Sequence, residues 1–438
     1  MNTQEKYNLA ELVIVHALKS GAQQVSVSID ESRRNEIEIR DQQIDKLTES
    51  NRNSLTIYLY VDKKYSSHST NRMKKDELLK FVDEAIAATR YLAEDEFRML
   101  PDPSLYYEGG GNDLNVFDAS INSIDTKTKI DLAKAVLEEA YKKDERIISV
   151  SSYYSDNISN WVLVNSNGFR GDAANSGISL YASVSVNTEK GRPSGDWYET
   201  AVFYDKLKKT DIGKKALERT IQKIGPQKIA SGKYPMIVEN RVVGNLLNPL
   251  YNALLGYNLY QKQSFLIDKK DKAIASKVMT VFDDPLIISG AGSRHFDDEG
   301  LASAKRAVIE DGILHSFYID TYYGRKLKMD PTSGSTSNVV FKLGDRNAEE
   351  MVKSMKKGIF ITGFNGGNCN GSTGDFSYGI EGFLVENGLI VHPVNEMNIT
   401  GNMKQIWFNL VEAGNDIIEG NSFLIPSLII DNVDFSGI

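Results

Sequence analysis

The densest group of side chains able to bind a metal or move a proton lies between Arg294 and Glu299. His295 is followed there by Asp297, Asp298 and Glu299. Imidazoles and carboxylates are common metal ligands, so a metal site is one interpretation. Three neighbouring acids are also typical of a turn whose Asp side chains bind the local backbone. The sequence leaves both interpretations open and favours the turn.

Nucleophilic chemistry has little support in the sequence. The single cysteine, Cys369, excludes an internal disulfide and any multi-cysteine metal site. The remaining histidines are scattered, none pairs with a Ser or Cys in a nucleophile pattern, and no G-x-S-x-G motif occurs. They are His16, His68, His315 and His392.

A glycine-rich segment, residues 363–374, lacks the G-x-x-x-x-G-K-[ST] order of a phosphate-binding loop. A strand, not a helix start, is predicted after it. We therefore expect a tight loop beside a cleft. Its polar residues Thr373, Asp375 and Ser377 are candidates for hydrogen bonds to a peptide backbone or a partner protein.

Three stretches in the second half resemble hallmarks of the TldD/PmbA family, whose members are often described as modulators of DNA gyrase. They occur in the family's order, and they are His295–Gly300 (HFDDEG), Asn365–Gly379 (NGGNCNGSTGDFSYG) and Val385–Asn402 (VENGLIVHPVNEMNITGN). The first half resembles the family's first domain in pattern. The resemblance therefore extends over nearly the whole chain.

The resemblance implies a system of two subunits. The TldD subunit is a zinc peptidase with HExxxH on a helix and a later cysteine ligand, whereas the PmbA/TldE subunit is its metal-free partner. Here the motif positions fall on Asn248, Pro249 and Ala253, and no cysteine lies at 421–427. None of these side chains is a zinc ligand or a general base. The chain is therefore identified as similar to the PmbA/TldE subunit.

The segment 246–259 is predicted to be a structural helix. Asn248 and Pro249 are interpreted as its N-cap and first helical residue, and Leu250, Tyr251 and Leu254 belong to its packing face.

The function implied by the resemblance is that of a non-catalytic subunit of a TldD-type metallopeptidase acting on peptides or unfolded segments. No cofactor is expected in this chain, and zinc is expected in the TldD-like partner. A homodimer is left open. The candidates for binding peptide or partner are His295, Asp297, Asp298, Glu299, Asn365, Thr373, Asp375, Phe376 and Ser377.

Two alternatives remain open at this point. One is a stand-alone hydrolase with an unrecognised site. The other is a regulator that acts on gyrase by protein contact. The net charge of −8 and the absence of a basic stripe argue against direct binding of nucleic acid.

Hydrophobic periodicity predicts the elements that position these residues. The order α-β-β-β-α is predicted for residues 1–100, with helices 4–20 and 75–92 and strands 24–29, 36–47 and 55–61. A similar unit is predicted for residues 120–225, with helices 130–141 and 212–224 and strands 147–153, 161–165, 178–186 and 197–203. An internal duplication is therefore a hypothesis.

After residue 225 the chain is punctuated by glycine, with short strands and clear helices predicted only at 347–356 and 402–413. The predicted fold class is α+β, with an N-terminal domain of mixed sheets and helices (1–225) and a mostly β C-terminal domain (226–438). The first residues carry charges where a signal peptide needs an apolar run, and no apolar stretch approaches a membrane span. A cytoplasmic location is expected.

Overall fold

The computed structural model describes residues 1–189 and 191–437. Its α-helices are α1 (Thr3–Lys19), α2 (Lys75–Thr89), α3 (Thr126–Glu138), α4 (Ile212–Gln222), α5 (Val243–Ala253), α6 (Gly256–Tyr260), α7 (Thr321–Leu327), α8 (Ala348–Ser354) and α9 (Met403–Ile406). The strands of the first half are β1 (Gln24–Arg40), β2 (Gln43–Val61), β3 (Lys64–Thr70), β4 (Ile147–Asn165), β5 (Arg170–Val186) and β6 (Ser194–Ala201).

The strands of the second half are β7 (Gly232–Val238), β8 (Val281–Asp283), β9 (Arg306–Glu310), β10 (Ile313–Leu314), β11 (Val339–Phe341), β12 (Lys357–Cys369), β13 (Asp375–Glu386), β14 (Leu389–Asn402), β15 (Leu410–Ala413), β16 (Phe423–Leu424) and β17 (Leu428–Ser436). Helices combined with several sheets confirm the predicted α+β class. Among the described residues, no helix has both the length and the apolar character needed to cross a membrane.

The first half is one antiparallel sheet in the order β3-β2-β1-β4-β5-β6. The buried positions of β1 are odd-numbered (Val25, Val27, Ile29, Ile37 and Ile39), so they share one face of the strand. Helices α1 and α2 cover one end of this face and α3 and α4 the other, giving two adjacent cores. The predicted duplication stays a prediction.

The strand predictions for the first half were too short. Segments 24–29 and 36–40 belong to the single strand β1, and 147–153 and 161–165 both belong to β4. The polar residues between them indicated a break, but their backbones stay paired, for example Arg34 with Asn157. The predicted strand 36–47 was wrong because the chain turns at Asp41 and Gln42, which have positive φ. The segment containing His68 is strand β3, which the sequence analysis missed.

The second half contains a closed barrel and a separate sheet. The barrel order is β14-β13-β12-β7-β17, closed by pairing of β14 with β17, and β15 extends it beside β17. The other sheet has the order β10-β9-β8-β11-β16. One continuous core joins the barrel, this sheet and helix α5.

The predicted helix 402–413 was wrong beyond its first turn. Helix α9 ends at Ile406, a 3₁₀ turn covers Trp407–Asn409, and Leu410–Ala413 forms β15 against β17. Pairing with β17 outweighs the local helical spacing here. The helix predicted at 347–356 is confirmed as α8. The domain boundary near residue 225 stays a prediction, and residue 438 lies outside the described residues.

A buried ion pair joins α3 to the first sheet. Lys129 Nζ lies 2.6 Å from Asp156 Oδ2, and both side chains are almost fully buried. Asp156 also accepts hydrogen bonds from Asn35 Nδ2 at 2.8 Å and the Tyr154 hydroxyl at 2.7 Å. The carboxylate therefore links β1, β4 and α3 at the centre of the sheet.

We predict that Asp156→Asn lowers the free energy of unfolding by about 3–5 kcal/mol, because it leaves a buried ammonium without its counter-charge. The matched control is Asp131→Asn on α3, the helix that carries Lys129, and the exposed pair of Asp131 with Lys127 spans 2.8 Å. The control should change stability by about 0.5 kcal/mol or less. Chemical denaturation followed by circular dichroism measures both, and equal effects would contradict the assignment.

Candidate functional site

Helix α5 carries an apolar face and an asparagine stripe. Its buried side chains include Leu246, Leu247, Leu250 and Tyr251. Asn245, Asn248 and Asn252 follow one another at i, i+3 and i+7, which places them on the same helix face. They are exposed, and within the described residues their side-chain amides have no hydrogen-bond partner. We call these three residues the asparagine stripe.

The predicted start of this helix was wrong. The helix begins at Val243, so Asn248 is not its N-cap and Pro249 lies inside it. Proline has no N–H, so the carbonyl of Asn245 lacks its usual helical donor. Packing of the apolar face into the barrel core maintains the helix through this position.

A cavity of about 550 Å³ lies beside the asparagine stripe. It is formed where α5 and α6 meet the connection between β12 and β13, so the fold brings together the predicted HExxxH positions and the glycine-rich loop. We call it the amide cavity. It is lined by Asn245, Asn248, Pro249, Asn252, Ala253, Asn258, Gln263, Cys369, Gly371, Ser372 and Tyr378.

The amide cavity is uncharged at neutral pH. Among the residues that the structure describes, Cys369 and Tyr378 are the only ionisable ones in its lining. Burial, followed by the negative charge of Asp375, raises the pKa of the Cys369 thiol, so the thiol stays protonated and weakly nucleophilic. Burial raises the pKa of Tyr378 to about 12. The lining therefore offers hydrogen-bond donors and acceptors without a general base.

The residues predicted at the HExxxH positions do not fit a zinc ion. Asn248, Pro249 and Ala253 all line the cavity, and none supplies an imidazole, thiolate or carboxylate. The segment 421–427 lies beside α5, because the rings of Tyr251 and Phe423 are 5.4 Å apart, but it contains no cysteine. No group of three His, Cys, Asp or Glu side chains suited to a metal exists in residues 1–189 and 191–437.

The candidates predicted in the glycine-rich segment lie close to the amide cavity but not in its lining. The Thr373 hydroxyl and Asn402 Nδ2 donate to the Asp375 carboxylate at 2.8 and 2.7 Å, so these side chains fasten the start of β13 to the end of β14. Phe376 is buried in the barrel core. Asn365 and Ser377 are exposed on β12 and β13.

The segment 295–300 lies elsewhere, at the contact between the two halves of the chain. Phe296 is buried against Phe169 and Trp161 of the first half, with ring centroids 5.1 and 5.2 Å away. The His295 ring stacks on Tyr107 at 5.1 Å. The segment therefore joins the two halves of the chain. The predicted peptide- or partner-binding residues thus form two separate groups, one in segment 295–300 and one in the glycine-rich segment.

The three acids of this segment have different surroundings. Asp297 is buried and accepts from the N–H groups of Glu299 and Leu301, each at 3.0 Å, as expected for a turn. Asp298 is exposed. Glu299 accepts from the Thr321 N–H at 2.8 Å, at the start of α7. Burial raises the pKa of Glu299 to about 7, with the negative charges of Asp297 and Asp320 adding to the effect.

Sequence reasoning missed most of the cavity lining. The i, i+3, i+7 spacing of Asn245, Asn248 and Asn252 was a readable signal. No local signal brings Gln263 and Cys369 to the same cavity, because they are separated by more than a hundred residues.

We predict that Glu299→Gln removes a pH dependence of stability. With a native pKa of about 7 and an ordinary value of 4.5, the native carboxyl keeps a proton that the unfolded chain has released. Stability therefore falls as pH rises from 4.5 to 7, by up to about 3 kcal/mol. Denaturation midpoints at pH 5 and pH 8 measure this loss. The exposed neighbour variant Asp298→Asn should keep the parent's slope, and an unchanged slope in Glu299→Gln would contradict the prediction.

Family models cover most of the chain. Models described as PmbA/TldA metallopeptidase domain 1, central domain and C-terminal domain match residues 25–89, 119–224 and 231–437.

Named relatives show the same similarity. Metalloprotease PmbA of Escherichia coli O157:H7 is 30% identical over 389 residues, covering 86% of this chain and 85% of that protein. The PmbA homologue of Haemophilus influenzae is 27% identical over 99% of this chain and 96% of its own length. The TldD homologue of the same organism is 24% identical over 65% of this chain and 64% of its own length.

Solved structures share the fold along the whole chain. A Bacteroides thetaiotaomicron protein described as a modulator of DNA gyrase is 45% identical, with a TM-score of 0.98 and full coverage of both chains. TldE of Thermococcus kodakarensis has a TM-score of 0.88 over 98% of this chain and 100% of its own, and at 19% identity this likeness shows the fold alone. From the matched domains and the PmbA relative, the chain belongs to the PmbA/TldD metallopeptidase family, as its sequence motifs predicted.

Proposed function

We propose that this chain is the non-catalytic subunit of a TldD-type zinc metallopeptidase and that it holds the polypeptide which its partner cleaves. The amide cavity carries the proposal. It is lined by the three residues predicted at the HExxxH positions, none of which is a metal ligand or a general base, and by the neutral amides of asparagine and glutamine side chains. Asparagine and glutamine side chains both donate and accept hydrogen bonds, which matches the alternating N–H and C=O groups of a peptide backbone.

The composition of α5 supports a binding role for its exposed face. Asparagine is less favourable than alanine in a helix, and an interior proline costs about 3 kcal/mol. Asn245, Asn248, Asn252 and Pro249 all fall within the 11 residues of α5. They lower the stability of the helix, and the buried leucines offset this cost. A role in binding a ligand explains why the exposed face of α5 carries residues that lower the stability of the helix.

The comparisons support the choice of subunit. The alignment with the Haemophilus PmbA homologue spans nearly the whole chain, whereas that with the TldD homologue spans about two thirds. A TldD-like protein is therefore the proposed partner, and a peptide or unfolded segment is the proposed substrate. Turnover of a polypeptide that acts on gyrase would account for the description "modulator of DNA gyrase" without contact between this acidic chain and DNA.

We predict that the purified chain contains no stoichiometric zinc and does not cleave casein or model peptides by itself. Mixed with its TldD-like partner, it should support cleavage that depends on the partner's zinc. Elemental analysis and a fluorogenic peptide assay on each protein and on the mixture test this. Zinc and activity in the isolated chain would overturn the proposal in favour of a stand-alone hydrolase.

The asparagine stripe should matter for substrate binding. The double variant Asn248→Leu/Asn252→Leu keeps side chains of similar size and favours helix formation, but it removes two hydrogen-bonding amides. At about 1 kcal/mol for each net hydrogen bond, KM of the mixture should rise by about tenfold or more with little change in kcat.

The control for this variant is Asn8→Leu, an exposed helical asparagine on α1 of the first half. It should leave KM unchanged. The binding role of the asparagine stripe would be refuted if the double variant and the control gave the same KM as the parent.

A further inference from the structure

Tyrosine rings cluster on α6 and α7 next to the amide cavity. Tyr257 and Tyr260 of α6 are 48% and 42% exposed. Tyr323 of α7 contacts both, with ring centroids 5.7 Å from Tyr257 and 5.9 Å from Tyr260. We call these three residues the tyrosine platform. It presents aromatic surface to solvent on two short helices.

The tyrosine platform and the amide cavity share helix α6. Asn258, which lies between Tyr257 and Tyr260 in sequence, lines the cavity. Helix α6 is held against the chain before α7, because the Gly256 N–H donates to the Tyr318 carbonyl at 2.8 Å. A Cβ at Gly256 would lie 3.1 Å from both Ile319 and Tyr323, so glycine permits this close approach. The platform therefore has a defined position beside the cavity.

The charges around the tyrosine platform do not indicate an acidic ligand. Lys326 Nζ lies 4.8 Å from the centre of the Tyr260 ring. Its charge is balanced by the Asp95 carboxylate, which is 3.2 Å away. The cavity itself is neutral. Exposed rings beside a neutral cavity are best covered by apolar or aromatic side chains, which gain from ring contact as well as from leaving water.

We propose that the tyrosine platform receives aromatic or large apolar side chains of an extended polypeptide whose backbone lies in the amide cavity. This inference rests on the proposed function and adds a substrate class to it. Amides recognise a backbone without regard to sequence, whereas the rings select among side chains. The substrates are therefore unfolded segments rich in aromatic and large apolar residues, which folded proteins keep buried.

The test uses two unstructured, fluorescein-labelled decapeptides of equal charge, one with three phenylalanines and one with serines in their place. Binding to the chain is measured by fluorescence anisotropy, and kcat/KM is measured for the chain mixed with its TldD-like partner. The parent should prefer the phenylalanine peptide by about tenfold, since each aromatic contact contributes a severalfold gain. Tyr257→Ser/Tyr260→Ser should reduce this preference to near one.

Two further variants separate ring contact from other effects. Tyr257→Phe/Tyr260→Phe keeps the rings and should retain the preference. Tyr91→Ser removes a tyrosine that is 91% exposed at the end of α2, and it should leave the preference unchanged.

The outcomes distinguish this inference from the proposed function. A preference that persists in Tyr257→Ser/Tyr260→Ser, or equal binding of both peptides by the parent, overturns the platform and leaves the peptide-holding function standing. If neither peptide binds the chain and neither is cleaved by the mixture, both proposals fail.

Discussion

Burial of the apolar face of α5 is the constraint on which the candidate site depends. Leu246, Leu247 and Leu250 are at most 2% exposed and belong to the core shared with the barrel. This packing holds a helix whose asparagines and interior proline disfavour it. Because one face is buried, the asparagine stripe must point outward toward the β12–β13 connection. The same packing against the core therefore both stabilises α5 and fixes which of its faces is exposed.

The two halves of the chain meet through interlocking aromatic and backbone contacts. Phe296 enters the cluster around Phe169, where a Cβ at Gly171 would lie 2.8 Å from both rings. Arg325 of α7 donates to the carbonyls of Met99 and Leu100 at 2.7 Å. These bonds hold the segment that follows α2 against the second half of the chain. The conspicuous acidic run at 297–299 is therefore part of a structural contact. Its role in binding peptide or partner remains a prediction.

The sequence predicted the fold class, the family and most helices of the first half, because amphipathic helices and family motifs are readable from local spacing. It divided β1 and β4 into pieces, since their central residues are polar and only pairing with neighbouring strands keeps them extended. It placed the start of α5 at Asn248, where the asparagine and proline favour a helix start locally, whereas tertiary packing begins the helix at Val243. Cys369 was left without a role because its cavity is formed by distant segments.

The sequence by itself determined the chemistry available at the predicted HExxxH positions. The residue type fixes which ligand atoms a side chain carries, so Asn248, Pro249 and Ala253 offer no imidazole, thiolate or carboxylate in any fold. Only the tertiary structure decided what surrounds these three residues. The amide cavity joins α5, α6 and the β12–β13 connection, and the tyrosine platform adjoins it through α6, because long-range packing brings together segments more than a hundred residues apart. Spacing along a chain reports one helix or strand at a time, and it does not report which of them become neighbours.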